Sequence, residues 1–345
     1  TKTAVLALIL LFPGEPVLVG VGLFMIMYGI IYALLENDIR RILAYSVVNQ
    51  VGFMVCAVGI GTQLALNGAA AHAFAHILYK ALLFMSAGVV IYRTGRNRCT
   101  ELGGLFRTMP LTTVCGIIGA LSISSFPLTS GFTTKSMISQ AAATEGLVWV
   151  YMLLTAASAG VFLHAGIKFP WFVFFQKDSG LRPKDAPWNM ALAMVIFSAL
   201  CLLLGMFPEW LYRFLPYPVD YTAYSAGKVL FYLQLLLFSG LAFFLLLPLM
   251  KRTETITLDV DWLWRRGLPQ LSRRLSEWFQ PLYDVGSRGS RATREMLSRL
   301  AVDFLGQPHT ADREERGLFA RSWPIGTTAL WIAILLSGYV LLYYI

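Results

Sequence analysis

GAAAHAFAHILYKALLFMSAGVVIY, residues 68–92, decides how this chain is to be read. A bilayer crossing takes about 20 mostly apolar residues in a helix, and this run supplies them. Inside it stand His72, His76 and Lys80. Positions i, i+4 and i+8 share one helix face, so the three polar groups stack in a column with roughly 6 Å between neighbours. An ionisable side chain at membrane depth is costly unless it faces a polar interior, and such residues point to function. Histidine and lysine both exchange a proton when their surroundings change, so the column can pass protons by switching charge. A polar cluster that only ties helices together is the other reading. A metal site fits less well, because no third histidine or carboxylate accompanies the pair.

The whole composition agrees with a membrane setting. Hydrophobic residues make up 57% of the 345 and charged residues 14%, with a mean hydropathy of +0.63. Soluble domains carry roughly a quarter charged residues, so lipid is the expected solvent. The net charge of +9 is not a nucleic-acid footprint. Its basic residues sit in short loops between apolar runs, the pattern of loops retained in the cytoplasm. Cys56, Cys99, Cys115 and Cys201 lie far apart without paired spacing, as buried thiols rather than disulfides or a zinc site. The chain opens on Thr1-Lys2 against an apolar run and does not read as a signal peptide, so an upstream part is expected.

Working outward, spans are expected near 16–36, 42–62, 68–92, 147–176, 189–207, 227–249 and 324–345. A stub covers 2–12 and a long interrupted span covers 110–143. One set of loops collects Arg40, Arg41, Arg93, Arg96, Arg98, Arg107, Lys177, Arg182 and Lys184, together with the basic stretch from Lys251 to Arg321. The opposite set has the uncharged 61–68 loop and a nearly balanced 209–228 segment. The two sets alternate along the chain, which puts the basic one in the cytoplasm of a bacterial inner membrane. Residues 253–321 are rich in arginine with interleaved Trp262, Leu271, Trp278 and Phe279, and are expected to lie along the membrane surface or a partner protein.

Further polar residues interrupt the apolar runs. In Phe126-Pro127-Leu128-Thr129-Ser130-Gly131-Phe132-Thr133-Thr134-Lys135, proline removes a backbone donor and glycine permits unusual torsions, so a break inside the helix is expected. Broken helices at membrane depth line a cavity or face protein, and Lys135 follows the break; a lysine reaching for the interface is its plain alternative. His164 and Lys168, at i and i+4, form a further candidate pair, although Pro170-Trp171 would suit a helix end near the interface. Glu36, Asp38, Arg40 and Arg41 read as a loop ion cluster, and His309 as solvated. Nothing would bind a flavin, haem or iron–sulfur centre, so no cofactor is expected and redox work belongs to another subunit.

These motifs resemble a known family. Asn37-Asp38-Ile39-Arg40-Arg41-Ile42-Leu43-Ala44-Tyr45-Ser46, followed by Gln50-Val51-Gly52, is similar to the "DIKRLLAYSS…QMG" signature of antiporter-like subunits. His72-x3-His76-x3-Lys80-Ala81-Leu82-Leu83-Phe84 resembles their "HxxxHxxFKALLF" helix. Leu102-Gly103-Gly104-Leu105 and Gly131-Phe132-Thr133-Thr134-Lys135 resemble "GGL" and "GFxSK". Such subunits form the pumping arm of respiratory complex I (the NuoL, NuoM and NuoN types) and the Mrp-type Na+/H+ antiporters. Gly166-Ile167-Lys168-Phe169-Pro170 and Leu181-Arg182-Pro183-Lys184 look most like the D-type subunit of the antiporters, whereas the long 253–321 segment resembles the lateral helix of the NuoL type.

The resemblance implies an all-α polytopic membrane protein: residues 1–207 as the C-terminal inverted repeat with a broken helix, 208–250 as an added span, 251–322 as a lateral amphipathic segment and 323–345 as a terminal anchor. It places Lys2 on the lysine of the eighth helix, His72, His76 and Lys80 on the eleventh, and Lys135 on the broken twelfth. It implies a proton-translocating subunit of a multisubunit cation (Na+)/H+ antiporter. The alternatives are a pumping subunit of a complex I-like or hydrogenase complex, in which the chain would be part of a translocating oxidoreductase, and a structural anchor. Its partners would be other membrane subunits, protons with Na+ as a further candidate ion, and the lipid bilayer. No nucleic acid is implied.

Overall fold

A computed structural model describes residues 2–247 and 268–274. Its elements are α1 (Lys2–Leu11), α2 (Pro16–Leu35), α3 (Ile39–Ile60), α4 (Gln63–Thr94), α5 (Pro110–Ile123), α6 (Ser130–Thr144), α7 (Val148–Val161), α8 (Trp188–Met206), α9 (Glu209–Tyr212) and α10 (Ala226–Leu245). Among the described residues there is no β-strand, and six helical stretches are long and apolar enough to cross a membrane. The protein is an all-α polytopic membrane protein. It divides into residues 1–257, which hold all of these helices, and 258–345. Apart from 268–274, which are helical, the expected surface segment and terminal anchor lie outside the described residues, as does His309.

Local chemistry sets the helix ends. Pro16 opens α2, where its missing amide hydrogen costs nothing. The Asp38 side chain accepts from the Arg40 and Arg41 amides at 2.8 and 3.3 Å and caps α3, a contribution of about 1 kcal/mol. Gly61 and Gly95, at φ of 75° and 68°, end α3 and α4 in the left-handed conformation that glycine takes without strain. The pair α2 and α3 packs through small residues, as membrane helices do. A Cβ on Gly22 would stand 2.5 Å from the Cys56 amide nitrogen.

The interruption expected in 110–143 falls at residues 124–129, between α5 and α6. Ser125 and Leu128 are held at φ of 62° and 67°, a strain of roughly 1–3 kcal/mol each. The half-helices meet closely, since a Cβ on Gly131 would overlap the Ser122 carbonyl oxygen.

The 147–176 span holds a feature that the sequence did not announce. After Val161 the helix widens into π-turns over Phe162–Lys168 and Trp171–Phe175, on either side of Phe169-Pro170. Pro170 therefore does not mark a helix end at the interface. Phe172, Val173 and Phe174 beyond it are buried.

The loops sort into two faces. On one, Ile39 donates to the Asn97 carbonyl and Cys99 to that of Asn37, both at 2.9 Å. Arg93 reaches the Asp185 carbonyl at 3.0 Å, and Ser179 donates to Gly103 at 3.2 Å. Asp178 takes two bonds from Arg182, at 2.8 and 2.6 Å, which with the Gly180 amide hold its carboxylate well below the usual range. The basic loops around residues 36–41, 93–107 and 177–185 thus share one side. On the other, Gly14 donates to Val58 at 2.9 Å, and Asn67 and Tyr217 exchange bonds of 3.0 and 3.1 Å.

Candidate functional site

The column on α4 is buried: His72 is 0% exposed, His76 3% and Lys80 4%. The two imidazole centroids lie 6.3 Å apart, and Tyr79 stands edge-on to His76 at 5.4 Å. His72 joins three helices. Its Nδ1 lies 2.9 Å from Thr134 Oγ1 on α6, and its Nε2 lies 3.2 Å from Gln50 Oε1 on α3. The Thr134 hydroxyl donates to the Ser130 carbonyl at 3.1 Å, which leaves its lone pairs to accept from an Nδ1–H. Tyr79 OH lies 3.1 Å from Gln50 Oε1 and 3.3 Å from His72 Nε2. Neutral His72 can therefore accept at Nε2 from Tyr79, and charged His72 can donate there to Gln50. Gln50 is itself fixed, because its amide donates to Asn49 Oδ1 at 2.5 Å and Asn49 donates to the Ile26 carbonyl at 3.0 Å.

Lys80 Nζ donates to the Leu43 carbonyl at 3.0 Å and lies 5.9 Å from the Phe84 ring centre. Lys135 is 0% exposed and does not reach for an interface. Its Nζ donates to the Ile123 carbonyl at 2.6 Å, at the end of α5, and sits 5.0 Å over the Phe53 ring. A helix C-terminus and an aromatic face both attract a cation, which offsets part of the cost of burial. Phe53 lies 6.3 Å from the His72 ring as well. The α4 column and Lys135 thus meet through His72, with Thr134 beside Lys135 in the chain.

His164 and Lys168, on the first π-stretch, are 0% and 6% exposed. Lys168 Nζ donates to the carbonyls of Ala33, Leu34 and Glu36 at 3.1, 2.5 and 2.6 Å. Glu36, read as a loop ion, is 4% exposed, and its carboxylate accepts from the Asn37 and Asp38 amides at 2.8 and 3.0 Å. Arg41 lies 3.6 Å from it. Lys2 is the first described residue, at the head of α1. Among the described residues no group of three or more His, Cys, Asp or Glu is placed to hold a metal.

Gln50 and Thr134 escaped the sequence reading as partners of His72. The available signal was Asn49-Gln50, one turn after Ser46 and followed by an apolar stretch.

A helical membrane bundle with a helix broken at mid-span and buried lysines and histidines on the facing helices has the build of an antiporter-like subunit. Residues 4–161 match the family model described as "NADH:quinone oxidoreductase/Mrp antiporter, TM". It is 31% identical to hydrogenase-4 component B of Escherichia coli over 215 residues, 56% of this chain and 32% of that protein. Against the D-type subunit of the Na(+)/H(+) antiporter of Alkalihalophilus pseudofirmus it is 31% identical over 199 residues, 57% of this chain and 40% of the relative. The chain thus spans less than half the length of these curated relatives. Among solved structures, the archaeal membrane-bound sulfane sulfur reductase aligns with a TM-score of 0.57 and 27% identity, covering 94% of this chain and 55% of that one.

Proposed function

We propose that this chain works in a proton-translocating subunit of a multisubunit cation (Na+)/H+ antiporter of a bacterial inner membrane, with the basic loops cytoplasmic. Protons pass among Lys2, His72, His76, Lys80 and Lys135, other membrane subunits complete the complex, and water bridges the gaps. One observation carries the reading: His72, buried between α3, α4 and α6, has hydrogen-bond partners suited to either of its protonation states. A residue that only glued helices together would need partners for one. The likeness to a sodium/proton antiporter subunit supports the antiport itself.

The test uses inverted vesicles carrying the full-length protein with its partner subunits, in a host without other antiporters or complex I. Added NaCl should collapse a preset pH gradient, and Lys80→Ala and Lys135→Ala should each cut that flux about tenfold or more. Unchanged flux in both variants would sink the proposal.

A second reading is a redox-driven pump. It is favoured by the match to the sulfane sulfur reductase, which extends over 94% of the chain. Under it, NaCl leaves the gradient alone, and a reductant acidifies the vesicles in a Lys80-dependent way.

A further inference from the structure

Between α10, the end of α5 and the π-turns that follow α7 lies a groove of about 640 Å³. It opens sideways toward the membrane past Leu237 and Leu241 of α10, which are 71% and 54% exposed. Apolar and aromatic side chains build its walls, among them Leu121, Phe126, Phe162 and Ile167. Rings pin α10 in place on either side of it. Tyr232 stands edge-on to Phe132 at 5.3 Å, and Phe244 edge-on to Trp171 at 5.0 Å.

The groove has a direction. Phe175 and Phe244 mark its end at the basic loops, two residues before Lys177. Leu121 and Phe126 lie inward, because α5 starts at that same face, where the Leu111 amide donates to Asp185 at 2.8 Å. From Leu233 to Phe244, α10 rises about 16 Å. One leaflet fills about 15 Å, half of the hydrocarbon core. The groove is therefore as long as one leaflet is deep and ends at the broken helix. A spanning helix of a neighbouring subunit would need a track across both leaflets, whereas an acyl chain needs only one.

The mouth carries positive charge. Phe175 stacks on Phe106 at 5.5 Å, and the Arg107 guanidinium stands 5.6 Å over the Phe106 ring. Asp178 is held by Arg182 at 2.8 and 2.6 Å, while Arg107 lies 3.9 Å from it and Lys177 is exposed. Arg107, Lys177 and Arg182 outweigh that single carboxylate. We propose that the groove binds one anionic glycerophospholipid from the leaflet on the basic side. One acyl chain lies along α10 with its tip against Phe126, and the phosphate meets Arg107 and Lys177. The lipid supports the break from the membrane side, where the Phe126 amide donates to the Leu121 carbonyl at 3.1 Å. The site serves an antiporter and a redox-driven pump alike, so it stands apart from the choice between them.

Native mass spectrometry of the full-length protein with its partner subunits tests it, after delipidation and return of phosphatidylglycerol or phosphatidylethanolamine. Gly240 lines the groove, and a Cβ there would meet Phe162 and Ile167 only at 3.5 and 3.6 Å, so Gly240→Leu fills the groove. Gly227→Leu, on the same helix with nothing described within 4 Å, is the control. Displacing two methylene groups of a bound chain is worth about tenfold in affinity. Gly240→Leu should therefore bind one phosphatidylglycerol fewer at limiting lipid, and Gly227→Leu should match the wild type. Arg107→Gln should erase the preference for phosphatidylglycerol over phosphatidylethanolamine. Should Gly240→Leu disturb assembly, Leu233→Phe, which shortens the groove from its inner end, is measured instead. Equal lipid binding in the wild type and an assembled groove variant overturns the site. So does a wild-type complex that takes up neither lipid, the result expected if a partner helix fills the groove. An undiminished preference for phosphatidylglycerol in Arg107→Gln overturns the headgroup contact.

Discussion

The partners of His72 make its hydrogen bonds unequal in consequence. Gln50→Leu would remove the acceptor that a charged His72 uses, while Tyr79 OH could still serve the neutral ring at 3.3 Å. The substitution should therefore slow proton flux several-fold and disturb folding little. Thermal unfolding in detergent beside vesicle flux separates the two, and a large loss of stability at normal flux would contradict it. Lys168→Met makes the opposite prediction. It strands three carbonyls at the end of α2, and hydrogen bonds to a charged group are worth about 1.5–3 kcal/mol each, so stability and assembly should fail first. At this scale the column His72, His76 and Lys80 was legible because its spacing is written in the sequence. Gln50 and Thr134 were not, because they come from other helices and only packing brings them to the ring. Lys168 looked like a residue near an interface because its acceptors are backbone carbonyls, which no side-chain pattern reveals.

The interrupted helix was legible as an element, since Pro127 and Gly131 each disturb a helix for a known reason. Its cost was not: the positive φ angles at Ser125 and Leu128 arise from folding the connector back on α5 and α8. A Cβ on Gly205 of α8 would collide with the Leu128 carbonyl oxygen, so that helix clamps the break from outside. The π-stretches that follow α7 were illegible, because an added residue per turn is a compromise among neighbours rather than a local preference. Close packing of α2 on α3 makes a prediction with its own control. Gly20 and Gly22 lie on one helix, but only a Cβ at Gly22 meets backbone, at 2.5 Å from the Cys56 nitrogen. Among the described residues nothing lies within 4 Å of one at Gly20. Gly22→Ala should destabilise the protein by on the order of 1–3 kcal/mol through overpacking. Gly20→Ala should be neutral or slightly stabilising, since alanine is the better helix former. Equal melting temperatures for the two variants would mean that the helices separate freely, against the packing described.

Across the whole molecule, the parity of the spans determines which way a proton would travel. The alternation of loop charge was legible from arginine and lysine positions alone, and the structure gives it a physical body. Loops from three parts of the chain hold one another through Arg93–Asp185, Asn97–Asp38 and Ser179–Gly103, and all belong to the basic set. Had one span been miscounted, those contacts would have to run through the membrane. Which face meets the cytoplasm is a separate matter that rests on the retention of basic loops. The four cysteines are buried, so a thiol introduced at the surface reports with little background. Lys184 and Asp220 are both exposed and sit on opposite faces, Asp220 beside the loop in which Tyr217 meets Asn67. With a membrane-impermeant maleimide, Asp220→Cys should label in intact cells and Lys184→Cys only in inverted vesicles. The reverse pattern would turn the subunit over. The π-stretch that ends at Lys168, next to Glu36 and Arg41, would then face outward, and a proton entering the buried row from that side would come from the opposite compartment.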